Sequence, residues 1–276
     1  MSLSVQSPQQ DVSKLFIHQN GVLCMKVIIL SAGQGKRLLP MTADLPKCLL
    51  PVQGKTIIEW QIDELHKCGI DQITVVVGYN ADKVKELLRH RYGSEKIKTC
   101  NNADYATTDN LISCWMVRHE MTEDFILLNG DTLFEALIVK SLLASPAAPI
   151  TVTVNLKDTY DADDMKVSLK GQRLTHVGKN IPQDKIDGES IGMILFRGIG
   201  PMLFRKGLEN ARADASCSRR WFLSVIDEIA GKETVLTCSI RGLAWCEIDF
   251  PADLNEADRI VAANFHRQET AELQVS

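Results

Sequence analysis

From Lys26 onward, apolar residues alternate between short continuous runs and runs spaced three or four apart. KVIIL is a continuous run, the pattern of a strand buried on both faces. Ile57, Ile58, Ile62 and Leu65 then recur at helical spacing, and Gly69 closes that helix. QITVVVG predicts a second strand, and a helix follows from about Ala81 with Val84, Leu87 and Leu88 inward. KIKTC and DFILLNGD predict a third and a fourth strand, separated by a helix over NLISCWMVR. ALIVKSLLA predicts a further helix, stopped by Ser145-Pro146. Strand and helix in regular succession imply a mostly parallel sheet with helices on both faces. In such sheets ligands sit at the carboxyl ends of the strands.

After Pro149 the pattern changes. ITVTVNL, MKVSL, RLTHV and GESIGMILF predict short strands split by polar turns. A helix is expected around Phe222 to Ala230, then strands over VLTCSI and LAWCEI. A last amphipathic helix carries Leu254, Ala257, Ile260, Val261 and Phe265. The expected organisation is an extension over residues 1–24 and one α/β domain over 25–276. Residues 25–149 would form its first half, and 150–276 a second half that supplies the other wall of the site. The extension is expected to be loosely held, with one helical turn near Val12, Leu15 and Phe16, and Met25 is a second candidate start.

Composition narrows the function classes. The 276 residues can bury a substantial core, and the net charge of −4 offers no global attraction to nucleic acid or anionic membrane. No apolar run approaches the roughly 18 residues of a membrane span, and the first 24 residues lack a signal peptide's apolar centre. The eight cysteines show no paired spacing and sit mostly in apolar patterns, so buried free thiols and a cytoplasmic setting are expected.

The loop after the first strand, LSAGQGKRLLPMTADLPKCLLPV, holds the candidate chemistry. It is no dinucleotide fingerprint, because Leu38 stands where GxGxxG needs its third glycine. Nor is it a Walker A loop, because Leu30 and Arg37 stand where that motif needs glycine and a hydroxyl. Gly33 and Gly35 still let backbone amides approach a phosphate closely. Arg37 offers a planar fork to phosphate oxygens, and Lys47 a point charge from the far side. On the loop alone, a solvated turn with scattered cations stands as an equal alternative.

The spacing of Gly33, Gly35, Arg37, Leu38, Thr42, Pro46, Lys47, Leu49 and Leu50 resembles the GxGxRL…PKxLLPV signature of the sugar-1-phosphate nucleotidyltransferase family. The resemblance continues through GKTIIEWQIDELHKCGI, NGD at Asn129 to Asp131, and WCEIDFPADL. NADYATTDNLISCW, DADDMKV and VGKNI resemble the branch that transfers cytidylyl groups to phosphocholine or aminoethylphosphonate. Thr108-Asp109-Asn110 departs from the usual TNN of that branch, and Cys48 from the residue often following the lysine.

This resemblance implies a Rossmann-like mixed sheet of the nucleotide-diphospho-sugar transferase type. It implies a nucleoside triphosphate, CTP favoured, bound by Leu30, Ala32, Gly33, Gln34, Gly35, Arg37, Lys47 and Asn110. Mg²⁺ would be held by Asp131 and Asp249, an oxygen-ligand set suited to that ion. Arg37, Lys47 and Lys179 would carry catalysis by neutralising charge. The small phosphorylated acceptor would meet Lys179, Glu189, Trp245 and Glu247. Strand alternation puts Trp245, Glu247 and Asp249 on one face. A quaternary ammonium would be held by aromatic faces, with Tyr105, Tyr160, Trp221 and Trp245 as candidates. Two alternatives stay open: a sugar-1-phosphate nucleotidyltransferase using UTP, dTTP or GTP, and an inactive nucleotide sensor. Oligomeric state is open between monomer and homodimer.

Overall fold

The computed structural model describes residues 25–93 and 96–265, so the expectations for the first 24 residues lie outside it. In chain order the first half runs β1 (Lys26–Ser31), a short hairpin of β2 (Pro51–Val52) and β3 (Lys55–Thr56), α1 (Ile57–His66), β4 (Gln72–Val77) and α2 (Ala81–Tyr92). It continues with β5 (Ile97–Asn101), α3 (Asn110–Val117), β6 (Phe125–Asn129), β7 (Thr132–Phe134) and α4 (Ala136–Leu143). The second half has β8 (Ile150–Asn155), β9 (Lys166–Lys170), β10 (Arg173–Gly178), β11 (Gly188–Phe196) and α5 (Gly200–Arg212). It ends with α6 (Leu223–Ala230), β12 (Val235–Ser239), β13 (Trp245–Glu247) and α7 (Pro251–Ile260), which runs on as a π turn through Phe265.

Nine strands form one sheet in the order β5-β4-β1-β6-β11-β8-β12-β10-β9, and β9 also pairs back onto β11. The parallel character lies in β5-β4-β1-β6 and in the β8–β12 pair. β11 runs antiparallel to β6 and β8, because the chain re-enters the sheet from the opposite end. Successive residues of a strand face opposite sides. Thus Ile28 and Leu30 of β1 enter one core, with Phe125, Phe196 and Phe204, while Val27 and Ile29 enter the other. The carboxyl ends of β1, β5 and β6 open onto one cleft, lined by Leu30, Asn102 and Asn129.

Two features differ from the sequence reading. LAWCEI does not join the main sheet: β13 pairs antiparallel with β7 in a separate two-stranded ribbon, covered by α7. α5 was not among the expected elements, and it carries a Gly-Pro start and an internal Gly207, both locally unfavourable to helix. Pro201 stands in its first turn, where no intrahelical N–H is needed. Gly207 is required by close packing, since a Cβ there would lie 2.4 Å from Val225 Cγ1 on α6. The seven described cysteines are all free thiols, four of them buried. Among the described residues no helix is long and apolar enough to cross a membrane.

α1 starts with a capping box: the Thr56 hydroxyl accepts from the Glu59 amide, and the Glu59 carboxylate accepts from the Thr56 amide at 2.8 Å. Thr56→Ala removes the first contact and is expected to cost about 1 kcal/mol, read as a lower urea midpoint with unchanged slope.

Candidate active site

The loop after β1 is shaped before any ligand enters. Gly35 has φ +73°, a conformation that suits glycine. A Cβ on it would also press within 3.0 Å of Lys47 Cβ, so this glycine lets the two halves of the loop pack. Thr42, fully buried, ties the same turn by donating its hydroxyl to the Gly35 carbonyl at 2.8 Å.

Lys47 reaches through the packed loop to the carboxylates that follow β6 and β13. Its ammonium lies 2.8 Å from Asp131 Oδ2 and 2.6 Å from Asp249 Oδ1. Arg37 adds a contact of 2.6 Å to Asp249 Oδ2, lies over the Phe250 ring at 4.8 Å, and donates to Asp163 Oδ2 at 3.1 Å. The two acidic segments meet because of the ribbon. Glu247 pairs with Thr132, next to Asp131, and the Ile248 amide donates to the Asp131 carbonyl at 3.1 Å. Asp253 then fixes the following turn by accepting from the amides of Asp249 and Phe250.

Carboxylate oxygens of Asp131, Glu247 and Asp249 lie within 4.8 Å of one another. Burial would lower the Lys47 pKa, but Asp131 and Asp249 outweigh it and raise it. Burial alone would raise Asp249, and Lys47 followed by Arg37 overcomes that and holds it down. Glu247 keeps an exposed side toward the cleft, and its carboxylate is partly withdrawn from water among those of Asp131 and Asp249. That desolvation, followed by repulsion from Asp131 and Asp249, pushes its pKa up to about 8. Asp131 Oδ1 is buried with no hydrogen-bond partner. An orphaned carboxylate oxygen among three clustered carboxylates fits a hard divalent cation such as Mg²⁺, which prefers oxygen ligands and keeps part of its water.

The cleft beside this group encloses about 290 Å³. Leu30, Ala32, Gly33, Arg37 and Asn110 line it, whereas Gln34, Gly35 and Lys47 lie outside its lining, Lys47 being engaged with Asp131 and Asp249. Asn110 accepts from the Phe222 amide at 3.0 Å, which joins the start of α3 to the Trp221 segment. Lys179 lies 4.7 Å over the Trp221 ring and 3.2 Å from Asp163 Oδ1. Tyr105 and Trp221 both line the cleft. Tyr160 belongs to a separate cavity with Lys157, and Trp245 packs against the core. Glu189 is outside the cleft lining as well: buried on β11, it accepts from Asn155 and pairs with Lys157 at 2.7 Å.

Two cleft acids were not assigned a role from sequence. Asp163 bridges Arg37 and Lys179, one cation from each half of the chain. Its loop and the Lys179 backbone are held together by Lys166, 5% exposed, whose ammonium donates to the carbonyls of Asp161, Ala162, Asp164 and Lys179. Asp109 also lines the cleft; burial raises its pKa and Lys179 opposes the rise. Its acidic character, where the resembled motif has asparagine, was the available signal.

Residues 26–164 match the family described as Nucleotidyl transferase. The chain belongs to that family. Among similar proteins, the CMP-5'-(3-aminopropyl)phosphonate synthase of Streptomyces rubellomurinus is 27% identical over 240 residues, 85% of this chain and 38% of that protein. The choline-phosphate cytidylyltransferase of Streptococcus pneumoniae is 36% identical over 121 residues, 44% of this chain and 51% of its own length. The CTP:phosphoglutamine cytidylyltransferase of Campylobacter jejuni is 28% identical over 257 residues, 83% of this chain and 98% of that protein. The chain thus spans under two fifths of the Streptomyces protein and about half of the Streptococcus one. Among solved structures, the inositol-1-phosphate CTP transferase of T. maritima superposes with a TM-score of 0.73 at 22% identity. That superposition covers 86% of this chain and 96% of that one, and at such identity it speaks for the fold.

The Glu247 shift has a direction that can be measured. The folded chain keeps that proton up to about pH 8, whereas an ordinary glutamate releases it near 4.5. Between these values the folded state binds more protons, so stability falls as pH rises. Asp249 acts with the opposite sign, but only at pH below the ordinary aspartate value of 3.8. In EDTA, the melting temperature of Glu247→Gln is therefore expected to decline less than that of the unaltered chain between about pH 4.5 and 8. Parallel profiles would contradict the shift.

Proposed function

We propose that this chain is a Mg²⁺-dependent cytidylyltransferase that joins CTP to a small phosphorylated alcohol or phosphonate and releases pyrophosphate. The observation that carries this reading is the convergence of Lys47 and Arg37 on Asp131 and Asp249 at the floor of a cleft whose far wall offers Lys179. On this reading residues 25–149 hold the nucleotide and 150–276 the acceptor, with Tyr105 and Asp109 of the first half reaching the acceptor's side of the cleft.

The chemistry needs positioned charge more than proton transfer. An acceptor phosphate oxygen is already anionic near neutral pH and can attack the α-phosphorus without a general base. One oxygen–phosphorus bond forms there, and the bond from the α-phosphorus to its bridging oxygen breaks, releasing pyrophosphate. The barrier is the approach of two anions and the charge developing at the α-phosphorus. Arg37 and the amides around Gly33 would hold the triphosphate, and Lys47 would orient the acids and neutralise the α-phosphate. Lys179 would offset the acceptor's charge. A Mg²⁺ ion on Asp131 and Asp249, with Glu247 beside it, would supply Lewis-acid polarisation of the phosphate oxygens.

The charge pattern of the cleft favours a zwitterionic acceptor. Lys179 suits its phosphate or phosphonate, while Asp109 and Asp163 with the faces of Tyr105 and Trp221 suit a cationic amine at the other end. The names of two relatives carry an aminopropyl phosphonate and a choline phosphate, both bearing such a group. A sugar phosphate offers nothing to these carboxylates beyond hydroxyl hydrogen bonds.

Pyrophosphate release should be measured with CTP, UTP, GTP, ATP and dTTP, each crossed with phosphocholine, 2-aminoethylphosphonate, glycerol phosphate and glucose-1-phosphate. Turnover is expected with CTP and an amine-bearing acceptor, and its absence throughout the CTP column would refute the proposal. Asp131→Asn and Asp249→Asn are each expected to lower turnover at least about a hundredfold. Nucleotide binding without turnover in the unaltered chain and in both variants would instead favour a sensor.

A further inference from the structure

The turn that presents Asp131 is held from behind by a side chain on α1. Gln61 is 1% exposed, and its Nε2 donates to the Asn129 carbonyl and to the Thr132 carbonyl, each at 2.8 Å. These two carbonyls stand on either side of Gly130-Asp131, so one amide group spans the turn. The remaining ties leave the turn little freedom. The Gly130 amide donates to Leu30 O at 3.0 Å, and the Thr132 hydroxyl to Ile191 O at 3.0 Å. A Cβ at Gly130 would lie 2.2 Å from Ser31 Oγ, so the backbone is pressed directly against β1.

Packing alone gives no reason for an amide here. Gln61 Oε1 is buried with no hydrogen-bond partner, a desolvated oxygen that methionine at the same site would lack. What glutamine supplies and an apolar residue cannot is a pair of donors matched to two carbonyls that face inward. Those donors fix the backbone that aims the Asp131 carboxylate at Asp249 and Glu247. Asp131 Oδ1 itself has no partner to hold it, so its direction depends on that backbone and on Lys47 at Oδ2.

We infer that Gln61 is a positioning residue for the acidic group: by spanning the Asp131 turn it sets the affinity of that group for a divalent cation. This rests on the reading of Asp131, Glu247 and Asp249 as a metal site. Residues that orient ligands without touching the metal typically carry about a 10- to 100-fold effect on affinity.

The test is direct Mn²⁺ binding to the full chain without nucleotide, followed by electron paramagnetic resonance of free Mn²⁺, together with thermal melts. Gln61→Met keeps the length of the side chain and removes both donors. It is expected to melt cooperatively and to bind Mn²⁺ about 10- to 100-fold more weakly, while Asp131→Asn loses binding. A purely structural role would lower the melting temperature and leave the Mn²⁺ affinity of the folded chain unchanged, which would overturn the inference. Gln61→Glu, which keeps one donor when protonated, serves if the methionine variant does not fold. It is expected to weaken binding in the same direction, and unchanged affinity there overturns the inference equally. Absence of Mn²⁺ binding in the unaltered chain, or its survival in Asp131→Asn, would instead refute the metal reading on which the inference stands.

Discussion

The ammonium of Lys47, lodged between Asp131 and Asp249, is the contact on which the rest of the site depends. It joins three remote segments: the loop after β1, the turn after β6 and the turn after β13. Each segment is shaped to permit it. Gly35 removes the side chain that would push Lys47 away, Gly130 lets the Asp131 turn press against β1, and Asp253 pins the backbone at Asp249. A lysine so placed keeps its proton because the two acids outweigh the cost of burial. The geometry is therefore set by electrostatics, with the sheet acting as its frame.

Charge also organises the wall opposite. Asp163 is shared by Arg37 and Lys179, and Lys166 ties that acid's loop to the Lys179 backbone. The cleft thus presents alternating signs along its length. Arg37 and Asp163 keep much of their surface open to solvent, so these charges remain available to the cleft.

The sequence made much of this legible, for identifiable reasons. Strands such as KVIIL and QITVVVG are buried on both faces and read as unbroken apolar runs. Arg37, Lys47, Asp131 and Asp249 were singled out through a spaced signature, and the structure brings the four together; of the expected nucleotide set, Leu30, Ala32, Gly33 and Arg37 of the loop line the cleft. Helix α5 was hidden because Pro201 and Gly207 break local propensity and are justified only by position and by contact with Val225. Trp245 and Glu189 were assigned to the acceptor by motif, and the structure places both away from the cleft lining. One packs against the core and the other is paired with Lys157. No local pattern distinguishes a wall residue from its neighbour behind the wall. The joining of Gln61 to the carbonyls around Asp131 was equally invisible, because backbone acceptors have no sequence signature.

The β7–β13 ribbon separates two tasks that the chain order would seem to mix. Asp131 and Asp249 are pinned side by side through short local pairings, Glu247 to Thr132 and Ile248 to Asp131. The long excursion between them, from α4 through β12, leaves and returns to the same clasp. Its loops can therefore change without altering the pairings that set the two acids side by side. In this architecture the two acids are held by the clasp and not by the detour, so the detour can drift in sequence while the clasp stays fixed.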